Sequence, residues 1–374
     1  MHPKEHSKEL TIKFIDEYRN RKLIDEAVEA IRDVSRKKIT LMEVCGGHTM
    51  SIHKFGIPSL LPKNIKLLSG PGCPVCVTSR YFIDDTLECS RQDDIILTTL
   101  GDLIRVPGTE TSLFKEKARG SDIRIVYSIL DALKIAEENK DKKVVFPGIG
   151  FETTAPLSAA ALIQARDREL DNFFILSAHK IMPPVMTALI DEGVNINGYI
   201  CPGHVSVITG IQIYKPIVEN YNLGCVVSGF EPLDILQSIY MLTKQIEQDS
   251  PELENQYSRA VKPEGNKKAL KKMYRVFEPI DDWWRGIGTI SKSGLALTEE
   301  FKFFDARQLF DPLTRIDSDK DKGCICGEIL KGLKTPPDCP LFNKVCTPVD
   351  PVGACMVSGE GSCATWYRYA REAV

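Results

Sequence analysis

The chain has 374 residues, of which 43% are hydrophobic and 26% are charged, and its net charge at pH 7 is −3. These values are typical of a soluble globular protein with two or three domains, and they exclude the strongly basic surface expected of a nucleic-acid-binding protein. The polar N-terminus lacks the apolar core of a signal peptide, and no apolar run is long enough to cross a bilayer. We therefore expect a cytoplasmic protein, with reduced thiols and neither nucleic acid nor membrane as a partner.

The predicted elements begin with a helix and continue as alternating strands and helices. In the first forty residues, apolar side chains recur at helical spacing. Short apolar runs, most of them rich in β-branched residues, then follow at 39–44, 65–68, 95–99, 123–127, 144–146, 173–176, 198–200 and 225–227. Apolar strands that alternate with helices predict parallel sheets covered on both faces.

The predicted fold class is therefore α/β, with two Rossmann-like parallel-sheet domains and a C-terminal metal-binding region. A charged stretch at 136–143 interrupts the strand–helix repeat and divides the strands into two consecutive sets of four. The expected boundaries are an N-terminal helical segment at 1–38, a first α/β domain at 39–140, a second at 141–245, and linker helices with the C-terminal region at 246–374.

Unusual residues follow the carboxyl ends of most predicted strands, where open α/β sheets bind their ligands. Such stretches lie at 45–49, 70–76, 101–108, 148–154, 177–180, 201–206 and 228–232. Since all of them lie on the same side of the predicted sheets, the sequence indicates a ligand-binding cleft between the two α/β domains.

Cys45 and His48 place a thiol and an imidazole three positions apart. If Cys45 lies at a helix N-terminus, the helix dipole lowers the pKa of the thiol and favours a thiolate that binds a metal or attacks an electrophile. The alternative is a small buried cysteine beside a core histidine. Cys73 and Cys76 have the spacing of a redox dithiol on an exposed loop, or of half a zinc site that Cys45 and His48 would complete.

Cysteines near the C-terminus form the strongest pattern. Twelve, six and sixteen residues separate the members of the set Cys326, Cys339, Cys346 and Cys363. The intervening sequence is rich in Pro and Gly, which favour loops that can gather four sulfurs around one centre. Four such thiolates are typical of a cubane iron–sulfur cluster or of a structural zinc ion.

Other polar and aromatic residues carry weaker expectations. We expect a tight turn at 148–150 that places Glu152 in the cleft, because Thr153 breaks the glycine pattern of a dinucleotide-binding loop. His179 and His204 are either site residues or hydrogen-bonded structural residues. Trp283 and Trp284 are expected to pack between domains. We expect Cys89, Cys225 and Cys355 to be small buried residues. Cys324 is expected to be a spare thiol.

Together these motifs resemble the HypD family of hydrogenase maturation proteins from about residue 40 to the C-terminus. The resemblance is carried by the stretches Cys45–Thr49, Gly70–Cys76, Pro147–Thr154, Pro202–Ser206 and Gly353–Gly361 and by the four late cysteines.

The resemblance implies a scaffold and redox protein that assembles the Fe(CN)2CO unit of [NiFe]-hydrogenases. It implies that Cys45 holds a mononuclear iron carrying CN and CO, with His48 close by, and that Cys73 and Cys76 form a redox-active dithiol. The four late cysteines would hold a [4Fe–4S] cluster, so that region 246–374 becomes an iron–sulfur domain. A small HypC-like chaperone and a HypE-like cyanide donor would be the partners.

Two other functions fit parts of the pattern. A free-standing iron–sulfur thiol–disulfide oxidoreductase would use Cys73 and Cys76 on a protein disulfide and would need no iron at Cys45. A non-catalytic protein with two structural zinc sites would explain the cysteines without redox chemistry. Metal analysis and co-purification with an iron-carrying partner distinguish the three.

Overall fold

Parallel β-sheets form the framework of the protein, whose computed structural model describes residues 13, 15–310 and 323–370. The strands in chain order are β1 (Ile39–Glu43), β2 (Ile65–Ser69), β3 (Ile95–Thr99), β4 (Ile123–Ile125), β5 (Lys143–Gly150), β6 (Phe173–His179), β7 (Gly198–Pro202), β8 (Gly224–Ser228), β9 (Leu253–Asn255), β10 (Phe277–Trp284) and β11 (Gly288–Leu297). Each of the apolar runs predicted to be a strand is one, which confirms the α/β class.

Helices connect most of the strands and cover both faces of the sheets. They are α1 (Arg21–Val34), α2 (Gly46–Lys54), α3 (Ile57–Leu60), α4 (Pro74–Val77), α5 (Arg80–Ser90), α6 (Leu113–Ala118), α7 (Ile129–Glu138), α8 (Ala155–Asp167), α9 (Met182–Asp191), α10 (Gly203–Thr209), α11 (Lys215–Tyr221), α12 (Pro232–Glu247), α13 (Lys267–Val276), α14 (Cys326–Leu330) and α15 (Ser362–Tyr369). The predicted N-terminal helix corresponds to α1, which packs against α12. Residues 1–12 lie outside the described part of the chain.

The strands form two parallel sheets, but they do not divide into the two consecutive halves that we expected. A five-stranded sheet has the order β2-β1-β7-β8-β9, and a four-stranded sheet has the order β4-β3-β5-β6. β1 pairs with β7 through residues 41–43 and 198–200. The chain therefore leaves the first sheet after β2, builds the whole second sheet, and returns at β7. The charged stretch at 136–143 includes the end of α7 and the turn into β5, within the second sheet rather than between the sheets.

The region after residue 245 contains strands as well as the expected helix and turns. β9 adds to the edge of the five-stranded sheet by pairing with β8. β10 and β11 form an antiparallel hairpin, and the buried Lys180 ammonium at the end of β6 binds the Asp282 carboxylate on this hairpin at 2.6 Å. Trp284 is fully buried and stacks on Phe151 with ring centroids 5.9 Å apart, which confirms its packing role.

Across residues 15–310 and 323–370, none of the helices combines the length and apolar character needed to traverse a bilayer.

Candidate functional site

Cys45 lies at the carboxyl end of β1, where the sequence predicts a ligand-binding residue. It has an extended backbone and occupies the N-cap position of α2, which begins at Gly46. Its backbone N–H donates to a carboxylate oxygen of Glu43 at 2.9 Å, and the second oxygen of that carboxylate accepts from the Thr49 hydroxyl. The turn from strand to helix is therefore fixed by a carboxylate of the same strand.

The electrostatic surroundings of Cys45 differ from the expectation. Burial, together with the carboxylates of Glu360 and Glu43, raises the pKa of the thiol to about 12, and the N–H groups of His48 and Gly47 lower it too little to compensate. The predicted thiolate stabilised by the helix dipole is thus wrong for the metal-free site. Because a metal ion replaces the thiol proton when it binds, such a cysteine becomes a thiolate only together with its metal.

His48 is buried and is held by backbone carbonyls across the cleft. Its Nε2 lies 2.9 Å from the Gly229 carbonyl oxygen and therefore donates to it, while Nδ1 is buried without a hydrogen-bond partner. Burial lowers the pKa of the imidazole to about 4, so the ring is neutral. A neutral imidazole with Nε2 protonated exposes a lone pair on Nδ1, which can accept a proton or bind a metal.

Phe230 joins His48 to a second histidine. Its ring stacks on His48 with centroids 4.6 Å apart and on His204 with centroids 3.9 Å apart. Gly47 packs close to this ring, since a Cβ there would lie 3.1 Å from the Phe230 ring and in ordinary contact, at 3.7 Å, with the Cys45 sulfur. The His204 motif therefore belongs to the same site as Cys45.

The Cys73–Cys76 loop packs directly behind Cys45. The two cysteines form a disulfide with their Cα atoms 5.3 Å apart, and Cys73 is the N-cap of α4. The Gly46 N–H donates to the Gly72 carbonyl at 3.0 Å. Both cysteines are buried, so the expected exposed loop is wrong. The zinc site proposed from Cys45, His48 and this pair is not what the structure shows, because the pair is bonded to itself.

A cleft of about 480 Å³ opens beside this loop. Pro74 and Val75 line one side and Glu360 lines another, with Arg105 and Arg368 at its margin. A Cβ on Gly46 would lie 3.0 Å from a Glu360 carboxylate oxygen, so Glu360 stands over the first turn of α2. The cleft therefore gives solvent and ligands access to the region between the dithiol loop and the Cys45 turn.

The four late cysteines come together around one small cavity. Cys326, Cys339, Cys346 and Cys363 are all buried and line it, together with Cys324 and Cys355. Burial raises the pKa of Cys363 well above its usual value, and the neighbouring thiols of the set add to the shift. Cys355, expected to be a plain core residue, and Cys324, expected to be spare, thus belong to the same cysteine pocket.

The donor set of this pocket fits an iron–sulfur cluster in its chemistry. Thiolate sulfurs in an apolar surrounding are the usual ligands of such clusters. Across the described ranges, no group of three or more His, Cys, Asp or Glu side chains is spaced to hold a single metal ion. An iron–sulfur cluster is larger than a single metal ion, so its ligands stand farther apart. Four of the six thiols that line this pocket belong to the set whose sequence spacing predicts a cluster.

The dithiol loop and the cysteine pocket are in contact. Helix α4 packs against the turn Ala354–Met356, which carries Cys355. The backbone N–H of Arg285, at the tip of the β10–β11 hairpin, donates to the carbonyl of Val77 at 2.9 Å. The hairpin tip and this turn therefore join the five-stranded sheet to the C-terminal region.

Two polar residues of the four-stranded sheet lie apart from the Cys45 turn. His179 is buried between the hydroxyls of Ser158 and Ser177, each 3.1 Å from a ring nitrogen, as expected for a structural histidine. Glu152 is also buried, and its Oε1 accepts from the N–H of Met182 at the start of α9 while Oε2 has no partner. Burial raises the pKa of Glu152 to about 7.

Sequence reasoning missed the supporting residues of the site. Glu43, Phe230 and Glu360 all contact the Cys45 turn or its histidine. Phe230 and Glu360 lie in the stretches 228–232 and 353–361 that the sequence singles out, but the sequence does not show these contacts. Glu43 is the one charged residue of the apolar run 39–44, and no role was assigned to it. Its burial, which raises the pKa of its carboxyl to about 7, is the signal that would have found it.

Comparison with known proteins gives a consistent match over the whole length. A model of the HypD family, described as the hydrogenase formation hypA family, matches residues 22–370. A putative hydrogenase expression/formation protein of Methanocaldococcus jannaschii is 48% identical over 94% of this chain and 98% of its own. The hydrogenase maturation factor HypD of Escherichia coli is 42% identical over 96% of this chain and 99% of its own. The chain belongs to the HypD family of hydrogenase maturation factors.

Proposed function

We propose that the protein is a scaffold and redox protein for the assembly of the Fe(CN)2CO centre of [NiFe]-hydrogenases. The observation that carries this proposal is the packing of the disulfide loop directly behind Cys45, beside a buried imidazole nitrogen with no partner. A metal-binding thiol and a two-electron carrier in backbone contact suit chemistry in which ligands are mounted on a bound metal.

Cys45 is the residue that holds the iron. The iron is the cargo of the reaction, and CN and CO are strong-field ligands that favour low-spin Fe(II), which a soft thiolate suits. Because burial keeps the Cys45 thiol protonated without metal, its proton passes to solvent when iron binds. The His48 ring is neutral and its Nδ1 has no hydrogen-bond partner, so this nitrogen can contribute a further ligand.

Cys73 and Cys76 supply electrons. Opening the disulfide takes up two electrons and two protons, and closing it returns them. A [4Fe–4S] cluster held by Cys326, Cys339, Cys346 and Cys363 would exchange those electrons one at a time. The contact of α4 with the turn that carries Cys355 keeps the path between the two short.

Partner proteins complete the reaction. A mononuclear iron needs more ligands than Cys45 provides, and a HypC-like chaperone that docks at the cleft would provide one. A HypE-like protein would donate cyanide. The free-standing oxidoreductase is not favoured, since the relatives that span the chain are named as hydrogenase maturation or formation proteins.

Infrared spectroscopy of the complex with a HypC-like partner tests the proposal. The C≡N and C≡O stretches fall in a window free of protein bands. Cys45→Ala should abolish these bands while the fold and the colour of the protein persist. Cys89→Ala, which removes a buried thiol on α5, should leave the bands at full strength. Full cyanide and carbonyl bands in Cys45→Ala would show that Cys45 is not the anchor.

A further inference from the structure

We propose that the free edge of β2 binds an extended, acidic segment of a partner protein as an additional strand. β2 forms one edge of the five-stranded sheet, and in the described part of the chain it pairs only with β1. The edge strands β4 and β9 are three residues long, and β6 is flanked by β11 through the Lys180–Gly294 bridge. Among the described edges of the two parallel sheets, β2, with five residues, is thus the longest one left uncovered, and unpaired edges of this kind accept a further strand.

A cavity runs along this edge. It has a volume of about 620 Å³ and is lined by every residue of β2 from Ile65 to Ser69. Its other walls come from α2 and the α3 turn and from the C-terminal region, and they are mainly apolar, with contributions from Ile52, Leu61, Ile329, Pro336 and Trp366. The edge therefore faces a groove that can bury apolar side chains, rather than open solvent.

The charged side chains around the cavity indicate which kind of segment would bind there. Lys63, Lys66 and Lys334 line it and are exposed, and none of them forms a salt bridge with a described carboxylate. One exposed carboxylate, Asp338, lies close enough for Lys334 and Lys66 to contribute to the lowering of its pKa, so three lysines face one carboxylate. His53 also lines the cavity, but burial lowers its pKa to about 4, so its ring is neutral. The carboxyl of Glu43, at the inner end, is already engaged by Thr49 and by the Cys45 N–H. The rim is therefore positive and complements an acidic segment.

The dimensions fit a short strand. Five residues of extended chain cover about 16 Å, the length of β2, at a rise of about 3.3 Å per residue. Alternate side chains of an added strand point to opposite faces, so one set can enter the apolar groove while the other reaches the lysines. Peptides bound by strand addition use this division, with backbone hydrogen bonds for affinity and pockets for specificity.

The inner end of the cavity lies at the iron-anchor turn. Ser69 and Glu43 line it there, and Glu43 holds the N–H of Cys45. A partner tethered along β2 would therefore be held beside Cys45. This consequence rests on the proposed function, whereas the binding of the segment itself depends only on the fold.

Fluorescence polarisation with a labelled peptide tests the binding directly. The probe is a blocked hexapeptide of alternating valine and glutamate, added to the full-length protein purified without oxygen. We expect saturable binding that weakens at least fivefold in Lys66→Glu. Lys115→Glu, an exposed lysine on α6 with the same change of charge, should bind like the parent protein. Absence of saturable binding, or equal loss in both variants, would overturn the proposal.

A second pair of probes separates strand addition from simple charge attraction. Two versions of the hexapeptide carry N-methyl groups on alternate backbone amides, in opposite phase. Only one edge of an added strand faces β2, so one version should bind and the other should not. Equal binding of both versions would mean that charge alone holds the peptide, and the proposed strand would be wrong. Neither result depends on iron or on the function of Cys45, so failure here leaves the assembly proposal standing.

Discussion

Gly72 lies against the backbone of Cys45 so closely that a methyl group on its Cα would stand 2.1 Å from the Cys45 nitrogen. The same methyl group would be 2.3 Å from the carbonyl carbon of Val44. These neighbours are main-chain atoms of a strand end and cannot rotate away. The Cys45 turn and the Cys73–Cys76 loop are therefore two halves of one rigid unit, and their separation is set by the absence of a side chain at Gly72.

Gly72→Ala should disrupt this unit. The added methyl group must push β1 and the dithiol loop apart, and overpacking of this kind costs about 1–3 kcal/mol or more. Urea unfolding should show the loss of stability, and the Cys73–Cys76 disulfide should become easier to reduce or to alkylate. Gly101→Ala is the matched control, because a Cβ there meets nothing within 4 Å. Equal stability of the two variants would contradict the contact.

Cys73→Ser should separate redox function from folding. Serine is close in size to the cysteine it replaces, so the buried loop should lose on the order of 1 kcal/mol. The variant should keep its secondary structure and its iron content but lose the reversible two-electron step. Thiol counting after graded reduction checks this, with wild-type protein as the reference. A wild-type protein whose Cys73 and Cys76 never interconvert between dithiol and disulfide would refute the redox role.

The cysteine pocket should contain iron and sulfide. We expect about four irons and four acid-labile sulfides per chain in protein isolated without oxygen, as four thiolate ligands require. Cys346→Ala should bleach the protein, whereas Cys225→Ala, which removes a core thiol on β8, should leave its colour unchanged. Stoichiometric zinc without sulfide would contradict the cluster.

The buried Glu152 carboxyl should make the free energy of unfolding of the protein fall as the pH rises. Its pKa is about 7 in the folded protein and near the ordinary 4.5 in the unfolded chain, so the folded state binds the proton more tightly. The contribution of this pKa difference to the free energy of unfolding is fully present below pH 4.5 and is lost as the pH rises through 7. The total loss is about 3 kcal/mol at most. Unfolding midpoints from pH 5.5 to 8 should therefore fall less steeply in Glu152→Gln than in wild type.

The exposed Glu264→Gln serves as the control for this pH series. Its curve should parallel that of the wild type over the same range. A Glu152→Gln curve that also runs parallel to wild type would show that the Glu152 carboxyl does not titrate in this interval.

The strands and the main site residues were accessible from the sequence for local reasons. Every residue of a run such as Ile95–Thr99 is either apolar or β-branched, which suits a buried parallel strand whatever its neighbours are. Cys45, Cys73 and the late cysteines stand out because thiols at short spacing have few structural uses. These features depend on residue type and on nearby positions only.

Which strands pair with each other could not be predicted from the sequence in the same way. β1 and β7 are brought together across more than 150 residues, and nothing in either run specifies the other. The same limit hid the contacts that Phe230 and Glu360 make with the Cys45 turn and its histidine, because these contacts join segments far apart in sequence. The lowered thiol pKa expected at Cys45 failed because the burial that opposes the helix dipole comes from those distant segments.

The strand order also governs when the surroundings of Cys45 are completed during synthesis. β1 and β2 emerge first from the ribosome, but β1 lacks its second neighbour until β7 has been made, and His48 lacks its carbonyl partner until Gly229 follows. The four-stranded sheet, made of residues 95–179, can form in between. A partly synthesised chain thus carries the Cys45 thiol without its surrounding site, and the mature geometry arises only after some 230 residues have been joined.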